Sequence, residues 1–89
     1  MPEAAYRVHG RVQGVGFRWW TRSRARGLGL AGTVRNCPDG SVEVRARGPA
    51  DALAALRDVL GLGPPGSRVD RVEELPPTPI EGDAFEIVR

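Results

Sequence analysis

Apolar positions along the chain change period near the N-terminus. Tyr6, Val8, Gly10 and Val12 recur at every second position, the pattern of a half-buried strand, whereas Phe17, Thr21, Ala25 and Leu28 fall at helical spacing. The switch lies within Gln13-Gly14-Val15-Gly16. Leu28-Gly29-Leu30-Ala31-Gly32 supplies a glycine stop to this first helix, and Gly32 to Asn36 reads as a second strand. Cys37-Pro38-Asp39-Gly40 joins a fixed proline φ, a side chain able to cap its own turn and a glycine, the composition of a short hairpin connection. From Ser41 to Arg47, Val42, Val44 and Ala46 alternate with Glu43, Arg45 and Arg47, predicting a third strand antiparallel to the second.

Pro49 and Asp51 open a second helix whose apolar face is Ala52, Leu53, Leu56, Val59 and Leu60, with Gly61 as its stop. A Gly- and Pro-rich connection through Gly66 follows. Val69 to Leu75 reads as a fourth strand, and its imperfect alternation predicts a bulge or an edge position. Pro76, Pro77 and Pro79 keep the next segment out of a sheet, because proline lacks the N–H that a ladder needs. Phe85 to Val88 closes the series as a short strand.

This order predicts an α+β fold: a ferredoxin-like α/β sandwich, βαββαβ with a short closing strand, its antiparallel sheet covered on one face by two helices. The other face would carry Arg7, His9, Arg11, Glu43, Arg45 and Arg47 and be wet. The strand of Val34 is expected beside the strand of Val8, which would bring Asn36 to the loop after the first strand.

With 89 residues the chain fits one small domain, residues 1–89. Its single cysteine permits no internal disulfide, which suits a reducing cytoplasm, and no apolar run is long enough for a membrane span. The formal charge of +2 is unevenly spread: nine arginines face three carboxylates up to Gly48, net +6, and the remainder is net −4. A basic first half would draw in an anionic small molecule. Absence of a large apolar surface stripe makes a monomer the expectation.

The loop from Gln13 through Gly14, Val15, Gly16 and Phe17 to Arg18 has the make-up of an anion cradle. A helix start leaves its first N–H groups unpaired at the positive end of the macrodipole, and Arg18 adds a permanently charged, planar fork of donors. A nucleotide P-loop is excluded because the chain has no lysine. A dinucleotide fingerprint is excluded because Trp19 stands where a third glycine is needed. The plainer alternative is that Gly14 and Gly16 only serve a turn and Arg18 is a solvated helix residue. Asn36 cannot ionise, but its amide can hold a water and touch a phosphoryl oxygen. Arginine and asparagine suit a reaction that needs neither acid nor base.

Two motifs, Gly10-Arg11-Val12-Gln13-Gly14-Val15-Gly16-Phe17-Arg18 and Gly32-Thr33-Val34-Arg35-Asn36 followed by Asp39-Gly40-Ser41-Val42-Glu43, make the chain resemble the acylphosphatase family over nearly its whole length. The resemblance implies that Arg18 and the backbone of Gln13 to Phe17 bind the phosphoryl group and that Asn36 positions the attacking water. It implies a metal-independent hydrolase that cleaves the carboxyl–phosphate bond of acyl phosphates, with inorganic phosphate as product and inhibitor. No cofactor, metal, nucleic acid or membrane partner is expected. Thr33 departs from the tryptophan common in the family, and its effect is expected on packing or substrate contacts more than on chemistry.

Other tempting residues have plainer readings. His9 alternates onto the wet face with Arg7 and Arg11, as an exposed strand histidine would. Cys37 has no base partner and reads as incidental. Adjacent Trp19 and Trp20 cannot both face the core, and Trp20 is spaced to stack with Arg24. The rival functions are a non-catalytic nucleic-acid-binding module and an anion-binding regulatory domain on the same fold. The first is weakened by an open sheet face with no aromatic residue on which a base could stack.

Overall fold

Alternating strands and two amphipathic helices assemble as the periods predict. The computed structural model describes residues 1–89, with β1 (Glu3–Arg11), α1 (Phe17–Gly27), β2 (Ala31–Asn36), β3 (Val42–Arg47), α2 (Ala50–Leu62), β4 (Arg68–Leu75) and β5 (Phe85–Ile87). Both helices pack on one face of a five-stranded sheet of order β4-β1-β3-β2-β5, the ferredoxin-like arrangement. The core lies between these layers. Val8, Val34, Val42 and Val44 from the sheet meet Phe17, Thr21, Leu56 and Leu60 from the helices, and each is essentially inaccessible to water. Burying a Leu, Val or Phe side chain in this way contributes roughly 1.5–3 kcal/mol.

The structure departs from the expected layout in four places. First, β2 does not lie beside β1: β3 stands between them and pairs antiparallel with both. The crossover through α1 skips one strand position, which the hairpin then fills. Second, β5 runs parallel to β2, so the sheet is mixed, with only β4, β1, β3 and β2 mutually antiparallel. The segment 76–84 carries the chain from the β4 edge to the opposite edge, so β5 enters in the direction of β2. Third, α2 continues through Gly61 to Leu62 and stops at Gly63, whose φ of 72° is the left-handed turn-off that a glycine accommodates.

The fourth departure concerns the face without helices. Glu43 is buried rather than wet, and Arg7, Arg35 and Arg45 surround its carboxylate at 3.6, 2.8 and 3.3 Å. Register explains the cluster, because Glu73, Arg7, Glu43 and Arg35 stand opposite one another on β4, β1, β3 and β2, an alternating row of charge. Near the other end of this face, Arg45 donates to Pro76 O and Thr78 Oγ1, and Arg47 to the carbonyls of Ile80 and Gly82. These bonds tie the proline-rich segment across the sheet. On the β4 edge both features anticipated from its irregular alternation occur together: His9 pairs with Arg71 and Gly10 with Val69, leaving Asp70 as the extra, bulged residue.

Candidate active site

The loop between β1 and α1 begins where the strand ladder ends. Val12 and Phe17, both about 1% exposed, anchor its two ends in the core. Between them Gly14 and Gly16 take φ of 75° and 78°, conformations that an L side chain adopts only at a cost. Gly16 is the residue preceding α1, and no side chain caps the helix start. Trp20 N–H, bonded to Gly16 O at 3.0 Å, is the first amide to close the helix. Phe17, Arg18 and Trp19 therefore present N–H groups without intrahelical partners, and the amides of Gln13 to Gly16 donate to no protein acceptor. The result is a run of unpaired donors leading into the positive end of a helix.

Arg18 is half-buried in the first turn, and its guanidinium makes no ion pair with any carboxylate of the chain. Asn36, Val42 and Val8 align across β2, β3 and β1, so the end of β2 lies at the sheet end from which the loop departs. Alternation places Asn36 on the face shared with Val34, the helix side, while Arg35 turns to the open face. The Asn36 Oδ1 atom is buried and finds no hydrogen-bond partner in the protein. An unpaired buried carbonyl of this kind is costly; Arg7 Nε and Thr21 Oγ1 are buried without a partner in the same way.

The loop reaches the Asn36 hairpin through a side chain. Gln13 Nε2 donates to Cys37 O at 2.8 Å and to Ser41 O at 2.9 Å. The turn is itself well made: Cys37 N–H bonds Ser41 O, Gly40 N–H bonds Cys37 O, and Asp39 accepts from Ser41 N–H. Hydrogen bonds from Ser41 hold the Asp39 carboxyl below its ordinary pKa. Cys37 is buried beneath this turn. Sequence reasoning placed Gln13 in the loop but missed this use of its side chain, since only the intervening β3 strand reveals which carbonyls it can reach.

The side chains of His9, Trp19 and Trp20 have partners of their own. His9 is bound to Glu73 at 2.9 Å on the opposite face, so it is a paired rather than a free strand histidine. Trp19 is 64% exposed with Arg22 stacked on it at 5.0 Å, and Trp20 turns inward against Phe17 with Arg24 over its ring at 5.6 Å. Thr33 lies between Arg45 and Glu86 in the sheet, three positions before Asn36. No group of three or more His, Cys, Asp or Glu side chains is placed to hold a metal ion.

Fold and loop together define a class: a ferredoxin-like sandwich with a loop of unpaired amides leading into its first helix. Within that class the comparisons are specific. The acylphosphatase family model matches residues 4–87. An acylphosphatase of Nitratidesulfovibrio vulgaris is 51% identical over 90 aligned positions, covering 98% of this chain and 90% of that protein. The crystal structure of acylphosphatase from Bacillus subtilis superposes with a TM-score of 0.92 at 39% identity, with both chains covered completely. An acylphosphatase structure from Coxiella burnetii gives 0.82 at 36% identity, over 97% of this chain and 93% of that one. The chain belongs to the acylphosphatase family.

Proposed function

We propose that this acyl phosphate hydrolase works by main-chain and arginine capture of the phosphoryl group, with Asn36 holding the attacking water. The observation that carries the reading is the unpaired run of amides from Gln13 into the first turn of α1, together with an Arg18 in that turn whose guanidinium pairs with no carboxylate. Loop amides and Arg18 would bind the equatorial oxygens, where charge is spread in a loose phosphoryl-transfer transition state. The unpartnered Oδ1 of Asn36 would accept a hydrogen bond from water and aim its lone pair at phosphorus. The carboxylate leaves without a proton because its conjugate acid has a pKa of about 4–5, like Asp and Glu side chains. The water's proton passes to a phosphate oxygen of the substrate, so the residues at the site supply binding, orientation and charge.

In this reading residues 1–89 act as one monomeric unit in the cytoplasm, without metal or cofactor. No helix is long and apolar enough to cross a membrane. The open sheet face, where a nucleic-acid reader would stack bases, is instead engaged by the 76–84 segment through Arg45 and Arg47. Steady-state hydrolysis of benzoyl phosphate in the presence of a chelator tests the mechanism, with inorganic phosphate expected to inhibit competitively. Arg18→Ala should abolish turnover and weaken phosphate inhibition. Asn36→Ala should leave phosphate inhibition near the parent value while kcat falls by about 100-fold or more. Equal loss of phosphate inhibition in both variants would remove Asn36 from the water-positioning role.

A further inference from the structure

A hydrolysis that depends on two separately anchored groups also depends on what fixes the gap between them. Arg18 and the loop amides ride on the start of α1, whereas Asn36 ends β2, and β3 separates β2 from β1. Between the 13–18 segment and the 36–41 hairpin the hydrogen bonds are the two donated by Gln13 Nε2. Their acceptors are the carbonyls at the neck of the hairpin. Cys37 O also accepts from Gly40 N–H, and Ser41 O from Cys37 N–H, so Gln13 grips groups that the turn already holds rigid.

We propose that Gln13 is a positioning residue that sets the spacing between the phosphate loop and Asn36, an assignment that rests on the roles given above to Arg18 and Asn36. Its primary amide has two N–H donors, and both are committed to the hairpin. The side chain therefore has no donor left for phosphate, and position 13 can offer the substrate only its main-chain N–H. Loss of the clasp should leave the cradle intact while letting the Asn36 end of β2 drift relative to it. A displacement of about 1 Å between reacting groups can cost on the order of 100-fold in rate. Gln13 is thus predicted to act on kcat through Asn36 and to leave phosphate affinity alone.

The test is a double-mutant cycle on benzoyl phosphate hydrolysis, with inorganic phosphate inhibition as the readout of the cradle. Gln13→Met keeps the length of the side chain and removes its donors. Expected is a kcat loss of about 10- to 100-fold with the phosphate inhibition constant changed less than about twofold, and less than about a twofold further loss when Gln13→Met is added to Asn36→Ala. The same loss in both backgrounds, an unchanged kcat, or phosphate inhibition that weakens in step with kcat would each overturn the assignment. Asn36→Ala measured alone tests the underlying mechanism, because retained turnover there sinks the role of Asn36 whatever happens at position 13. Should Gln13→Met fail to fold, Gln13→Glu provides the second route. A carboxyl at that position donates only when protonated, so its rate relative to the parent should climb as pH falls toward about 5, and a flat ratio would overturn the proposal.

Discussion

At the scale of single residues the chain places glycine where the loop between β1 and α1 turns. A Cβ at Gly16 would meet nothing within 4 Å, so the cost of substitution there is conformational rather than steric. Gly16→Ala is expected to lower stability by about 1–2 kcal/mol, the penalty of a left-handed L residue, and to weaken phosphate inhibition as the amides splay. Urea denaturation and an inhibition assay check the two effects separately. Phe17 is the counterpart on the apolar side. Phe17→Ala removes a wholly buried ring and should cost about 3–5 kcal/mol, a large share of what a small protein has to lose.

Among elements, the charged row on the open face sets the response to acid. Hydrogen bonding from Arg35 holds the Glu43 carboxyl below its ordinary pKa, with Arg45 adding to the effect and burial opposing it. Because the folded-state pKa is the lower one, the ionised pair contributes its full stability above the unfolded value, about 4.3, and loses it as pH falls through the folded value. Glu73, lowered by its bond from His9, shifts in the same direction. The urea midpoint should therefore decline below about pH 4.5 in the parent. Glu43→Gln should weaken that decline and cost about 1–2 kcal/mol at neutral pH, less than a fully buried pair would because solvent reaches the three arginines. This row was hidden in the sequence for a definite reason. Alternation assigns Glu43 to a face but not to partners, and only the register that sets Arg7 and Arg35 opposite it turns a wet carboxylate into a buried one. The element types and the hairpin turn were legible because period, proline and glycine act locally. The strand order was not, because which strand fills the gap beneath a crossover depends on packing across the whole sheet.

For the molecule as a whole, the loop belongs to the half of the sequence, up to Gly48, that carries a net charge of +6. Raising ionic strength should lower kcat/KM for a charged acyl phosphate more than kcat, since screening acts on encounter and binding before it touches bound groups. Steady-state kinetics at several salt concentrations checks this. The proposed site residues could be read from two separated sequence motifs through the family resemblance those motifs carry. The bond between those motifs could not, since Gln13 and Ser41 are brought together only when β3 enters between β1 and β2.

In the proposed mechanism the loop recognises its anion through peptide N–H groups, so its chemistry would be carried by atoms that nearly every amino acid shares. Drift at Val15 is consequently cheap so long as the replacement keeps the backbone path and the partial packing of that side chain. Proline is the exception, because it deletes a donor outright. Mutational tolerance in the loop should therefore follow backbone conformation rather than side-chain chemistry, with the left-handed glycines and proline marking its limits.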